Sequence, residues 1–208
     1  MTNSGALELP SRRIRAACTE RTVTVYQAYG PEIGDHAIAR GAFPESWSRT
    51  RMTWVKPSFL WMMYRSGWGG KPGQERVLAL EISRAGFDAA LERACLSHYD
   101  RRVHADRAEW AGQLRTSDVR VQWDPERDLD LRPLPHRSLQ LGLSGWAAGE
   151  YADRWIEAVR DVTPLARRIR ELVRAGEREE AAALLPRERE YPVGGRVRRS
   201  LGVSSAAP

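Results

Sequence analysis

With 208 residues, 42% of them hydrophobic, the chain can build one domain with a real core, which excludes wholesale disorder. No apolar run approaches the roughly 18 residues of a membrane helix, the opening MTNSGALELPSRRIRAAC lacks an apolar h-region, and two cysteines, Cys18 and Cys95, make no disulfide framework; a cytoplasmic protein with no membrane partner is expected. The net charge of +6 invites nucleic acid, but residues 164–208 carry 10 Lys+Arg against 6 Asp+Glu and the first 163 carry 23 against 21, so the body is nearly balanced and has no basic block.

Residues 1–20 are polar and irregular and read as a loose leader. TVTVYQAY (22–29) alternates and is rich in β-branched and aromatic residues, hence a strand. GPEIGDHAIARGAF then predicts a short helix, with Pro31 at its first position and Gly41 at its stop. RMTWV (51–55) reads as a strand and PSFLWMMYRS as a helix that Gly67 ends. ERVLALEI (75–82) predicts a buried strand, and FDAALERACL a helix carrying Phe87, Leu91 and Cys95 on one face. DVRVQWD (118–124) and RSLQLGL (137–143) predict two more strands joined by a Pro- and Asp-rich loop.

AAGEYADRWIEAVRDV predicts an amphipathic helix with Tyr151, Trp155 and Val159 in register. Beyond Thr163-Pro164 a helical pair broken at Gly176 should dock through Leu165, Ile169, Leu172 and Val173, and GGRVRRSLGVSSAAP reads as a frayed end. The expected architecture is therefore a single α+β domain. It has about five mostly antiparallel strands with packed helices in a core over 21–163, C-terminal helices over 164–190, and a tail over 191–208.

RMTWVKPSFLWMMYRSGWGGK (51–71) is the most informative stretch. Its tryptophans continue a spacing of seven from Trp47, but Pro57 and Gly67 interrupt any single helix, so Trp54, Trp61 and Trp68 fall on a strand, a helix and a turn. On the helix, Phe59, Leu60, Met63 and Tyr64 cover one side, while Ser58, Trp61 and Arg65 form an opposite stripe that suits a semi-polar cleft. Of 33 basic residues only Lys56 and Lys71 are lysines, both here. A compact ammonium that can lose its proton is chemically distinct from a guanidinium. Lys56 precedes the free N–H groups of the helix's first turn and Arg51 lies one strand-length back, a recipe for a phosphate site beside a stacking ring.

Other signatures are weak. GWGGKPG departs from a P-loop, because Arg65 stands where the first glycine belongs and Pro72 replaces Ser/Thr. GLSGW lacks the last glycine of a nucleophile elbow. Cys95, His98 and His104 are close in sequence but lack a fourth ligand, so no metal is expected. In VQWDPERDLD, Asp124 at a strand end is a candidate general base, with Glu126 and Arg127 beside it.

TVTVYQAYGPEI, RMTWVKPSFLWMMYRSGW, QERVLALEI, VRVQWDPERD and RSLQLGL together resemble the family called domain of unknown function 4291, over about residues 12–190. That resemblance implies membership and carries no catalytic residues. A second likeness, at the level of layout, is to ADP-ribosyltransferase-like domains, which hold NAD between two small sheets and orient its ribose with a Glu. It implies Tyr26, Gln27, Tyr64 and Glu75 or Glu81 as counterparts, without a complete H-Y-E or R-S-E triad.

Two functions are expected from these readings. The first is an enzyme on a nucleotide or NAD-like substrate, a glycosyl-type transferase in the ADP-ribosyltransferase-like manner, with no certain cofactor and NAD as a candidate substrate. Arg51, Lys56, Arg65 and Lys71 would hold phosphate, and Trp61, Trp68, Tyr64 and Gln27 would line the ligand. Glu75, Asp124 and Tyr26 would do the chemistry. The second is a non-catalytic module for RNA or single-stranded nucleic acid.

Overall fold

The structure, a computed structural model, describes residues 11–204. Within what the sequence presents as a loose leader it forms two short strands, β1 (Arg12–Arg13) and β2 (Arg15–Ala16). Ile14 and Ala16 are fully buried there, so apolar positions two apart supply an inward face that the surrounding arginines mask. Residues 1–10 of that leader lie outside the described residues.

The chain then runs through β3 (Thr22–Tyr29), α1 (Pro31–Arg40), β4 (Thr53–Val55), α2 (Phe59–Ser66) and β5 (Arg76–Ser83). Gly41 and Gly67 end the two helices in the left-handed conformation, and each donates its N–H back to the last turn. After α3 (Arg84–Arg93) the backbone extends, so Cys95 belongs to the strand β6 (Cys95–Leu96) and not to a helix face. The sequence reading passed over α4 (Arg107–Thr116), whose N-cap Asp106 accepts from Glu109 N. β7 (Val119–Arg127) and β8 (Pro133–Leu143) form a long hairpin. Its Asp128 Oδ1 accepts from the N–H groups of Asp130 and Arg132 in the turn.

The expected long helix after residue 146 is corrected. Only α5 (Gly145–Glu150) and a π-helical turn (Tyr151–Trp155) are helical, and Ile156–Asp161 is a strand, β9. The edge of β5 needs a partner for its backbone groups, and β9 supplies it. Tertiary pairing thus outweighs a local helical period. Further on, α6 (Thr163–Ala175) and α7 (Arg178–Ala183) form the C-terminal pair. Ile169 and Leu172 are buried, with Leu165 and Val173 packed beside them. The expected tail is corrected over its described part: after β10 (Arg189–Glu190), which pairs with β2, α8 (Gly195–Leu201) buries Val197 and Leu201, while residues 205–208 lie outside the described residues.

The fold is α+β, built on two main sheets. One has the order β3-β5-β9, all antiparallel. The other runs β1-β8-β7-β6, with β4 also paired to β8. The main core lies between them, with Val23, Val25, Leu80 and Ile82 facing the same cluster as Val121, Leu139 and Leu141. A smaller core uses the other side of the three-stranded sheet, where Tyr26, Val77 and Ala79 meet Phe59 and Met63 of α2 and Ile169 of α6. The backbones of the two sheets are joined at a bridge in which Tyr26 N donates to Lys56 O (2.7 Å) and Lys56 N to Tyr26 O (3.2 Å). The junction of the two sheets therefore falls at Lys56.

Candidate functional site

A cavity of about 390 Å³ opens beside that junction, lined by Gln27 and Tyr29 of β3, Arg51 to Trp54, Lys56, Arg65 of α2 and Gln140 of β8. Gln27 is saturated: its Nε2 donates to Thr53 Oγ1 (2.6 Å) and Trp54 O (3.2 Å), and its Oε1 accepts from Tyr151 OH (2.7 Å). It fixes the wall by tying β3 to β4 and to the π-helical turn. Trp54 is placed by a glycine, since a Cβ on its register partner Gly142 would come within 2.9 Å of the indole. Trp47 donates from Nε1 to Tyr29 OH (3.0 Å) and stacks on Phe43.

Lys56 is the unusual group. Its side chain is only 4% exposed, yet its ammonium has a single weak partner, Trp54 O at 3.3 Å, and lies 5.0 Å from the centre of the Trp61 ring. Among the described residues no ion pair includes Lys56, Arg51 or Arg65. Burial pushes the Lys56 ammonium down to about 7, helped by repulsion from Arg65 and opposed by attraction to Asp124. An interior cation without a carboxylate is costly unless something outside the protein completes it.

Asp124 sits one layer behind. It lies in the middle of β7, opposite Ser138, and not at a strand end as its Asp-Pro sequence suggests, because β7 continues through Pro125 with a register shift. Gln122 Nε2 donates to its Oδ1 (2.9 Å) and Gln140 Nε2 to its Oδ2 (3.0 Å). Gln140 thus separates the carboxylate from the cavity that it also lines. Glu75 stands at the rim next to Gly73 and Gln74. Its Oε1 accepts from Gly73 N (3.0 Å), while its buried Oε2 has no partner among the described residues.

The sequence-predicted residues divide accordingly. Arg51, Lys56, Arg65 and Gln27 share the cavity. Trp61 backs Lys56, and its buried Nε1 is unpartnered among the described residues. Tyr26 points the other way and meets Phe59 edge-on in the smaller core, where burial raises its hydroxyl well above the usual range. Trp68 is also core. Tyr64 is exposed and carries the Arg127 guanidinium 3.6 Å over its ring. Lys71 closes the end of α2, with Nζ donating to Arg65 O (2.7 Å). Glu81 pairs with Arg160 on β9.

The expected phosphate site at the start of α2 is corrected. Ser58 Oγ accepts from Trp61 N (3.2 Å), and Phe59 N donates to Glu188 Oε1 (2.6 Å). The first turn of the helix is therefore occupied by a carboxyl group of the protein itself. A second cavity of about 490 Å³ surrounds it, lined by Glu126, Glu188, His136 and Arg15 with Leu60, Leu134 and Leu185. Glu126 is buried, and its Oε1 accepts from Ser58 Oγ (2.7 Å) and Arg127 N (2.8 Å). Burial drives the Glu188 carboxyl up to about 8 against the pull of the Phe59 N–H. Glu126 is among the residues the sequence singles out, whereas Gln140, Tyr29 and Glu188 are not. The alternation of Gln140 with leucines in RSLQLGL is a readable signal for an inward polar group, whereas nothing local connects Glu188 to a helix 129 residues earlier.

Residues 13–191 match the model of the family described as Domain of unknown function (DUF4291). The chain belongs to that family. No curated protein matches it. As a DUF4291 member it shares no assigned chemistry, and its site has to be read from its own geometry. Among the described residues no helix is long and apolar enough to cross a membrane, and no three His, Cys, Asp or Glu side chains gather as a metal ligand set.

Proposed function

We propose that the cavity at the junction of the two sheets binds a phosphorylated small molecule of the nucleotide or NAD type, as a transferase substrate. One observation carries this reading: a buried ammonium and two guanidiniums, none in an ion pair among the described residues, line one cavity. Phosphate oxygens are the anion that guanidinium forks and a compact ammonium recognise together. Trp54 offers its ring at the wall for a base or nicotinamide.

At about 390 Å³ the cavity falls toward the low end of the ~300–1,000 Å³ range of ligand sites. That size suits one nucleotide, and a dinucleotide would extend over the rim toward Glu75. The placement between two sheets supports the ADP-ribosyltransferase-like analogy, with Glu75 as its acidic candidate. A strand-tracking nucleic-acid module is less well supported. The large aromatics most exposed among the described residues, Tyr64 and Trp146, already lie under Arg127 and Arg93, so neither offers the open face on which successive bases would stack.

A thermal-shift panel of nucleotides, NAD and inorganic pyrophosphate tests the reading. At least one phosphorylated compound should raise the melting temperature, and Lys56→Met should weaken its binding by about 1.5–3 kcal/mol through loss of a charge-assisted contact. No shift with any of them at high concentration, or equal affinity in wild type and variant, removes the proposal.

A further inference from the structure

Lys56 and Lys71 are the chain's two lysines, and they differ in every respect that governs amine reactivity. The Lys71 side chain is exposed, with its ammonium held by the carbonyls of Arg65 and Tyr64 at the end of α2. Lys56 is enclosed, flanked by the Trp61 ring, and shares its cavity with Arg65 and Arg51, while Asp124 is held off by two glutamine amides. Desolvation beside like charge is the arrangement that frees an amine lone pair at neutral pH, and the Lys56 ammonium is pushed down to about 7. A lysine that only neutralised phosphate would gain nothing from losing its proton so easily.

We propose that Lys56 is an amine nucleophile that forms an imine with an aldehyde or ketone, the carbonyl compound being phosphorylated insofar as the anion-binding reading of this cavity holds. The neutral Nζ adds to the carbonyl carbon, forming the C–N bond. The displaced electron pair goes to oxygen, which takes up one of the two nitrogen protons, giving a neutral carbinolamine. Loss of that hydroxyl as water, with loss of the remaining nitrogen proton, leaves the C=N bond. One water is released, and neither oxidant nor reductant is needed. Arg51 and Arg65 would hold the phosphate while the amine reaches the carbonyl. Tyr29 and Thr53 bring hydroxyl groups to the same wall.

The test treats the full chain at neutral pH with glyceraldehyde 3-phosphate or with glyceraldehyde, reduces with borohydride, and locates the stable adduct by peptide mass spectrometry. Lys71 serves as the internal reference. Trapping at Lys56 should exceed that at Lys71 by about tenfold or more, as expected of an amine desolvated beside like charge. The phosphorylated aldehyde should react better, and inorganic phosphate should compete. Lys56→Met should lose the adduct and leave labelling of Lys71 as in wild type.

Equal labelling of both lysines, or labelling of Lys71 alone, overturns the proposal. If phosphorylated compounds raise the melting temperature but nothing is trapped on Lys56, the nucleophile falls and the anion site stands. If both aldehydes label Lys56 alike and phosphate does not compete, the nucleophile stands and the anion site falls.

Discussion

The two cavities that share α2 as a wall solve opposite electrostatic problems. Around Ser58 and Phe59, acidic side chains meet the helix's first N–H groups and a hydroxyl, so Glu126 and Glu188 are supplied with donors from within the fold. Around Lys56 and Arg65, cations are gathered, and Asp124, the carboxylate that attracts Lys56, is spent on Gln122 and Gln140. A buried charge whose partners are internal is architecture. One whose partners are missing is a place for something else.

Stability against pH is the strongest way to break this comparison, because the two groups act with opposite sign. Lys56 holds its proton less tightly in the fold, at about 7 against an ordinary 10.5. The unfolded chain therefore binds more protons between those values, and stability should rise with pH across that window. Glu188 holds its proton more tightly, at about 8 against 4.5, so its contribution is complete at low pH and is lost as pH rises through 8.

With each pKa unit equal to about 1.4 kcal/mol, Lys56→Met should stabilise the ligand-free protein by several kcal/mol below pH 7. The gain should vanish toward pH 10.5. Glu188→Gln should flatten the fall between 4.5 and 8 and leave the rise in place. Urea midpoints across pH measure both effects. A constant difference between wild type and Lys56→Met across the window would show that the lysine is not strained by burial.

How much of this was legible in the sequence follows from the range of the interactions. β3, α1, β5 and the β7–β8 hairpin are written in local alternation, turn residues and caps, and they form where the sequence places them. The Ser58, Trp61 and Arg65 stripe of α2, expected to face one semi-polar cleft, is divided between two: Ser58 reaches Glu126 in the second cavity, Trp61 backs Lys56, and Arg65 lines the first cavity. Where a distant segment decides, local reading loses. β9 is a strand because β5 lacks a partner, and the free N–H groups of α2 are occupied because residue 188 returns to them. The anionic guest of that helix end was foreseeable as chemistry, but its identity as a glutamate of the same chain was not.

A smaller effect sharpens the carboxylate side. Ser58 both caps α2 and donates to Glu126. Ser58→Ala should cost about 2–4 kcal/mol, the sum of a lost N-cap at about 1 and a buried carboxylate short of one donor at about 1–3. Chemical denaturation reads the loss, and the carbonyl-trapping rate at Lys56 should stay near that of wild type. A variant as stable as wild type would mean that water replaces the hydroxyl at Glu126 and that the cavity is wetter than its apolar walls suggest.

The smallest expected effect separates the two lysines. Lys71 Nζ meets the carbonyl ends of α2 at the negative pole of the helix, an exposed contact of the C-terminal capping kind. Lys71→Met should lower stability by about 0.3–1 kcal/mol, the usual size of such a terminal charge, with the loss shrinking as salt is raised. Its ligand affinity should match wild type, because the ammonium points at the backbone of α2 and does not line the cavity. A tenfold loss of binding in Lys71→Met would show that the turn 67–73 closes over the ligand and brings this second ammonium to the phosphate, and the division between a capping lysine and a reactive one would then have to be redrawn.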